Sequence, residues 1–354
     1  MTDISTAVSL EIFVGVDTHK DTHHAAIIDH LGRPVADHQF DATPAGYRKL
    51  LSFITDAGVI ASVGIEGTGT YGAGLTRVLT EAGLPVVEVD KPDRRARRAR
   101  GKSDPVDAYA AATAALSGRA TTIPKTRDGD SEALRFLSRT RALAVKARAE
   151  ALTALRAMIV AAPEPLRGQL RHLTRTDLIG TCAGLRPDPV AAGGILAATK
   201  TALRSTARRI TALSEEINAL DTDLAVLTRR AAPALLAAPG IGIVTAAELL
   251  ICVGDNPDRL RSEAAFATSC GVAPLPASSG KICRHRLNRG GNRQANRALH
   301  TIVISRLKTD TRTRDYMARR TEEGKTKREI IRCLKRYVAR EIYRVLHPTQ
   351  VDSS

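Results

Sequence analysis

Tryptophan is absent and aromatic residues make up only 3% of the chain. That excludes a stacking platform for single strands, which needs several exposed rings, so any nucleic-acid contact is expected to run through phosphate and groove shape. No apolar run reaches the roughly 18 residues of a membrane span. The N-terminus MTDISTAVSLEIFVG also lacks the charged start and long apolar segment of a secretory leader, so a cytoplasmic protein with no membrane partner is expected. The five cysteines, Cys182, Cys252, Cys270, Cys283 and Cys333, include no C-x-x-C pair and no histidine at zinc spacing, and reduced thiols are expected. Acids are outnumbered, 37 Asp plus Glu against 53 Lys plus Arg, for a net charge of +16. Such an excess favours an extended anionic partner, nucleic acid before membrane. A length of 354 residues leaves room for two or three domains with real cores.

The most concentrated signal is Arg94 to Ala108, RRARRARGKSDPVDA, where Asp104 and Asp107 follow the cations Arg94, Arg95, Arg97, Arg98, Arg100 and Lys102. Pro105 suits a first helical turn, so Asp104 is expected as N-cap and Asp107 one turn further along the same face. Two acids beside a cationic run can hold a divalent metal while the arginines hold a polyanion. Taken alone, the plainer reading is a cap and a dipole complement, and the rest of the chain decides.

Upstream, EIFVGVD (11–17), HAAIID (24–29) and residues 35–40 read as a three-stranded antiparallel meander, with Leu31-Gly32-Arg33-Pro34 as a turn. Thr43 and Pro44 open a helix to about Ala57. SVGIE (62–66) is a fourth strand, 72–82 a helix and 85–89 a fifth strand. This βββαβαβα order with acids at strand ends is the layout of an α/β ribonuclease-H-like domain. It would bring Asp17, Glu66, Asp104 and Asp107 to one edge of the sheet. Carboxylates of this kind suit Mg²⁺, and two such ions can clamp an in-line displacement at phosphorus. The competing reading makes Asp17 a solvated strand end and Glu66 a turn residue beside Gly67 and Gly69. His19, His23 and His24 are expected at the surface of a hairpin, with no histidine-ligated metal.

GVDTHKDTHHAAIID, IEGTGTYG and KSDPVDAYAAA together resemble the N-terminal RuvC-like DEDD domain of a family of bacterial insertion-sequence transposases, insertion sequence family one-ten. The resemblance places that family's acids on Asp17, Glu66, Asp104 and Asp107 and covers the first domain, 1–128.

From Ser131 the composition turns to Ala, Leu and Arg. Leu152, Leu155 and Ile159 repeat at helical spacing, and Leu203, Ala207, Ile210, Leu213, Ile217, Leu220, Leu224 and Leu227 form a coiled-coil-grade stripe. Pro163, Pro165, Pro187, Pro189 and Gly193-Gly194 interrupt the pattern, so 129–232 is expected as two long antiparallel helices joined by an irregular excursion. The stripe fits an intramolecular hairpin and an oligomerisation arm equally well; the resemblance favours the arm. Arg135, Arg139, Arg141 and Arg148 lie on the outer faces.

The third domain, 233–354, is expected to be mainly α-helical. LLAAPGIGIVTAAELL (235–250) has helix-hairpin-helix form, in which Gly240 and Gly242 would let backbone N–H groups approach a phosphate; an ordinary helical turn is the alternative. GVAPLPASSGKICRHRLNRGGNRQANRAL (271–299) then sets Ser278, Ser279 and Gly280 before Lys281, Arg284, His285, Arg286, Arg289, Arg293 and Arg297. A serine needs a base or charged surroundings to attack phosphorus, and a Ser-Ser-Gly stretch is more often simply a loop. The stretch resembles the C-terminal transposase domain of the same family, which places the nucleophile on Ser279, with Ser278 one register away. Downstream, a basic amphipathic helix with Ile330, Leu334, Val338 and Ile342 on one face is expected to pack on the serine loop or on DNA.

The resemblance implies a recombinase that cuts and rejoins double-stranded donor and target DNA. It would use Mg²⁺ on the four acids, a serine covalently bonded to DNA, a non-coding bridge RNA and a homo-oligomer, a tetramer. A RuvC-type metal-dependent nuclease needs only the acids. A non-catalytic nucleic-acid-binding protein needs only the arginines.

Overall fold

Near-continuous Val, Ile and Ala make β1 (Glu11–Thr18) and β2 (Thr22–Asp29) central strands buried on both faces. The polar β3 (Pro34–Asp41) is an exposed edge. With β4 (Val59–Glu66) and β5 (Val86–Val89) they form one sheet in the order β3-β2-β1-β4-β5. The first three strands are antiparallel, and β4 and β5 join in parallel. The computed structural model describes residues 11–89, 103–256, 259–277, 285–286, 288 and 290–347, with side chains omitted at 190–193. It divides into two units, Met1–Arg127 and Asp128–Ser354.

In the first unit, Thr43 caps α1 (Pro44–Asp56), its hydroxyl accepting the Gly46 N–H, with Pro44 in the first turn as the sequence indicates. Leu50 and Ile54 of α1 and Leu75 and Leu79 of α2 (Ala73–Glu81) cover one face of the sheet, where Ile12, Val14, Val16, Val63 and Ile65 point. The intervening residues point to the other face, against α3 (Asp104–Leu116). That alternation places the site.

Among the described residues, the regular structure of the second unit is helical apart from the two-residue strands β6 (Leu275–Pro276) and β7 (His285–Arg286). Two long helices, α4 (Asp130–Val160) and α7 (Val190–Ala231), pack together in antiparallel fashion. Arg230 Nε donates to Asp130 (3.0 Å), Arg141 Nε to Asp221 (2.5 Å) and Arg148 to Ser214 (3.4 Å), so one index falls as the other rises. Leu203, Ala207, Ile210, Ile217 and Leu224 of the stripe are buried. The stretch between these helices is not an irregular excursion. Two further helices occupy it: α5 (Glu164–Leu170), since proline is tolerated in a first turn, and α6 (Arg175–Ala183), whose cap Thr174 accepts the Asp177 N–H. Leu166, Leu170, Leu178 and Cys182 close a separate cluster with Leu155 and Leu203 at the far end of the hairpin. Helix α7 is broken once, at Gly194 (φ 55°).

The main core of this unit collects α8 (Pro233–Ala237), α9 (Ile243–Val253), α10 (Glu263–Ser269), α11 (Arg293–Thr309) and α13 (Lys327–Leu346), with α12 (Thr311–Glu322) beside it. The apolar face of α13, with Ile330, Leu334, Val338 and Ile342, is buried in this core, where the helix packs on α10 and α11. Cys182, Cys252, Cys270 and Cys333 are thiols; Cys283 lies outside the described residues. Among the described residues no helix is long and apolar enough to cross a membrane.

Candidate metal centre

Two glycines bring the acids together. A Cβ on Gly15 of β1 would lie 2.1 Å from the Ala108 carbonyl oxygen and 2.1 Å from the Ala112 nitrogen, and one on Gly64 of β4 would lie 2.7 Å from Ala111 O. Only glycine lets the α3 backbone lie this close to the sheet. Gly15 and Gly64 are paired in the parallel register, and Asp17 and Glu66 follow two residues on along their strands, facing the same helix. The first turn of α3 carries Asp104 and Asp107. Its alanines, Ala108, Ala111 and Ala112, are fully buried against the sheet.

The result is a tight set of ligand-capable atoms. His19 Nε2 lies 3.2 Å from Asp17 Oδ2 and 3.4 Å from Asp104 Oδ1, and one donor atom from each of the three residues falls within 4.8 Å of the others. Asp17 and Asp107 are buried, while Asp104 and His19 are about half exposed, at 45% and 46% of their side chains. Burial pushes the Asp17 carboxyl above its ordinary range. His19 opposes that shift by its charge, and the charges of Asp107 and then Asp104 add to it. Glu66 lies on the adjacent strand outside the tight set, its main-chain carbonyl accepting the Thr18 hydroxyl at 2.8 Å. Carboxylates crowded around the buried Asp17, with a nitrogen donor among them, are what a divalent cation stabilises. Asp17, Asp104 and His19 could hold such an ion, with Asp107 beside Asp17.

Two expectations are corrected here. The N-cap of α3 is Ser103, in extended conformation (φ −153°, ψ 154°), and Asp104 is the first helical residue. The acids therefore do not act as caps. Nor do His23 and His24 lie at the surface, although His19 does. His23 is fully buried and stacks on Tyr47 at 5.5 Å, and burial lowers its pKa. His24 Nε2 bonds Asp37 at 2.7 Å, and Asp37 also accepts the Tyr109 hydroxyl of α3 at 3.0 Å. His19 belongs to the acidic set. The signal for it was present in the sequence, two residues after Asp17 along an extended chain, but hairpin position alone does not reveal it.

In the second unit, Arg286 is exposed on β7, and it borders an open cleft of about 1010 Å³ with Lys325, Arg332 and Arg340. Arg293 is exposed at the first position of α11, whose cap Asn292 accepts from Gln294 N and Ala295 N. Gly240 (φ +74°) packs on Arg306 and Ile302. The Gly242 N–H donates to Thr245 Oγ1 at 3.0 Å. Ser278, Ser279, Lys281, Arg284, Arg289 and the run Arg94, Arg95, Arg97, Arg98, Arg100 and Lys102 lie outside the described residues.

Fold and site together define a mixed α/β domain with an acidic cation-type cluster, consistent with a ribonuclease-H-like DEDD domain. Residues 14–162 match the family model of IS110-type DEDD transposases, and residues 232–318 match the model described as the transposase IS116/IS110/IS902 family. The chain is 36% identical over 125 residues to an uncharacterised 43.6 kDa protein of insertion element IS110 from Streptomyces coelicolor, covering 34% of this chain and 31% of that protein. It is 32% identical over 149 residues to an uncharacterised 42 kDa protein of insertion element IS900 from Mycobacterium paratuberculosis, covering 41% and 36%. A mini-circle protein of Streptomyces coelicolor, named as a candidate transposase for IS117, is 25% identical over 328 residues, covering 77% and 78%. The matched segment spans about a third of the length of each of the first two relatives. The chain belongs to the IS110 family of insertion-sequence transposases.

Proposed function

We propose that this protein is a DNA recombinase that cuts and rejoins donor and target DNA for an insertion sequence. The observation that carries the proposal is the meeting of Asp17 and Asp104, from a strand and a distant helix, within one set of ligand atoms, in a chain whose two matched segments both fall to transposase models. Asp17, Glu66, Asp104 and Asp107 hold Mg²⁺, which supplies charge for the phosphoryl oxygens and the departing oxygen. His19 stands between the Asp17 and Asp104 carboxylates. Ser279, or Ser278 in the alternative register, is the nucleophile. Its hydroxyl loses a proton, its oxygen bonds to phosphorus, and the bridging DNA oxygen leaves with a proton. Arg286 and Arg293, with Lys281, Arg284, Arg289 and the cations of 94–102, neutralise DNA and RNA phosphates. A bridge RNA selects the two DNA partners, and a tetramer assembles them in the cytoplasm.

The acids all lie in the first unit, which also favours a second reading, a RuvC-type nuclease that hydrolyses DNA without the serine. Full-length protein with element-flanking RNA, Mg²⁺ and labelled donor and target DNA, resolved on a denaturing gel, separates the two. A shifted, protease-sensitive band lost in Ser279→Ala and in Asp104→Ala is the expected result. Nicked DNA with no adduct identifies the nuclease, and DNA binding without cleavage leaves a non-catalytic binding protein.

A further inference from the structure

We propose that His19 is a direct ligand of the divalent ion and that its imidazole shifts the site's preference from Mg²⁺ toward Mn²⁺. This rests on the reading that the acids hold a metal. His19 follows the last residue of β1, and its backbone N–H donates to Thr22 O at 2.9 Å, which holds the residue in the β1–β2 hairpin. Being two residues from Asp17 in an extended chain puts both side chains on the α3 side.

The distances are those of neighbouring ligands on one ion. An octahedral ion with bonds of roughly 2.1 Å places adjacent donors about 3.0 Å apart. His19 Nε2 lies 3.2 Å from Asp17 Oδ2 and 3.4 Å from Asp104 Oδ1. Both separations exceed that spacing by only a few tenths of an ångström. With its side chain 46% exposed, His19 is also reachable from solvent.

The competing arrangement is a ring N–H shared by the two carboxylates. The two are exclusive, because Nε2 carries either a proton or the lone pair that binds metal. They predict opposite effects of removing the ring. A counter-cation displaced by the metal would leave tighter metal binding behind, whereas a ligand would leave weaker binding. The donor set also has consequences for selectivity. Carboxylates suit Mg²⁺ and Mn²⁺ alike, but imidazole favours later divalent metals, and Mn²⁺ accepts it far better than Mg²⁺ does.

Full-length protein is titrated separately with Mn²⁺ and Mg²⁺ by calorimetry, and the Mn²⁺-loaded protein is studied by electron spin echo modulation. Wild type is expected to bind Mn²⁺ at least about ten-fold more tightly than Mg²⁺ and to show ¹⁴N coupling from a bound imidazole. His19→Ala should lose at least about ten-fold in Mn²⁺ affinity, since even outer partners of ligands are worth that much. Its Mg²⁺ affinity should change far less, and the ¹⁴N signal should vanish. His19→Gln, which keeps a polar side chain, should behave as His19→Ala does, with an unchanged unfolding midpoint in EDTA showing that both fold. Unchanged or tighter Mn²⁺ binding in His19→Ala, or a persisting ¹⁴N signal, overturns the proposal while leaving the acidic metal site intact. Failure of the underlying reading looks different, since wild type would then bind neither ion, or Asp17→Asn would bind both as well as wild type does.

Discussion

Gly15 and Ala108 stand closer than any side chain allows, since a Cβ on Gly15 would fall 2.1 Å from the Ala108 carbonyl oxygen. Backbone cannot yield there as a flexible side chain would, so Gly15→Ala must lift α3 from the sheet. Forcing extra atoms into a packed contact costs about 1–3 kcal/mol, occasionally more. The lifted helix carries Asp104 and Asp107, so Mn²⁺ or Mg²⁺ affinity should fall with stability, both measurable on one preparation by denaturant unfolding and calorimetry. Gly180→Ala on α6 is the control. Its Cβ meets nothing within 4 Å, and helical glycine to alanine should stabilise by roughly 0.5–1 kcal/mol. Equal stability of Gly15→Ala and wild type would refute the close approach.

Asp17 should destabilise the metal-free protein. Burial raises its carboxyl above the ordinary value, with Asp107 and Asp104 adding to the shift and His19 opposing it. The native state therefore binds this proton more tightly than the unfolded chain. The resulting stability is fully present below the unfolded carboxylate pKa and is lost as pH rises through the raised folded value. At pH 7.5 in EDTA, Asp17→Asn should unfold at higher urea than wild type. Divalent ion reverses the order, because wild type gains about 2.7 kcal/mol at one hundred times its Kd and the variant gains little. An Asp17→Asn protein less stable than wild type in EDTA would contradict the assignment of strain to this carboxylate.

Much of this arrangement was legible in the sequence because it obeys short periods. The strands ending at Asp17 and Glu66 and the Thr43-Pro44 helix start follow from side-chain alternation and capping chemistry, and the structure has them where those rules put them. The hairpin stripe from Leu203 to Leu224 is buried for the same reason. Features set by tertiary contact were not legible. Gly15 reads as an ordinary strand residue until α3 lies on it. Asp104 reads as a cap until Ser103 is seen to take the extended turn into α3. His23 and His24 read as polar surface until Tyr47 and Asp37 are seen to cover them. The prolines around 163–165 suggested broken chain, whereas proline at a helix start is compatible with α5.

The two ends of the α4–α7 hairpin should respond to mutation independently. Leu155 is fully buried with Leu203, Ala207 and Cys182 in a cluster distinct from the core of α8 to α13. Leu155→Ala should cost about 2–5 kcal/mol locally, the transfer and cavity terms together. Hydrogen exchange should quicken across 151–210 while amides of α9 and α11 keep their protection. Uniformly faster exchange through the whole second unit would instead mean that the hairpin and the main core open as one.

Arg306 should matter more than the partner it binds. Its guanidinium is 8% exposed, donates from Nε to Pro239 O at 2.8 Å and grips Glu341 with two bonds of 2.7 and 2.8 Å. Its Cγ backs Gly240, so one side chain contacts both Pro239 and Gly240 of the turn. Arg306→Met strips the Pro239 carbonyl of its donor and loosens the turn, at a cost of about 2–4 kcal/mol. Arg306→Lys keeps the charge but not the planar fork, and should fall between. Glu341 is 43% exposed, so water replaces much of what Glu341→Gln loses, and the change should cost no more than about 1 kcal/mol. Urea unfolding of the three variants should rank them in that order. If Glu341→Gln cost as much as Arg306→Met, the ion pair rather than the carbonyl bond would be what anchors the turn.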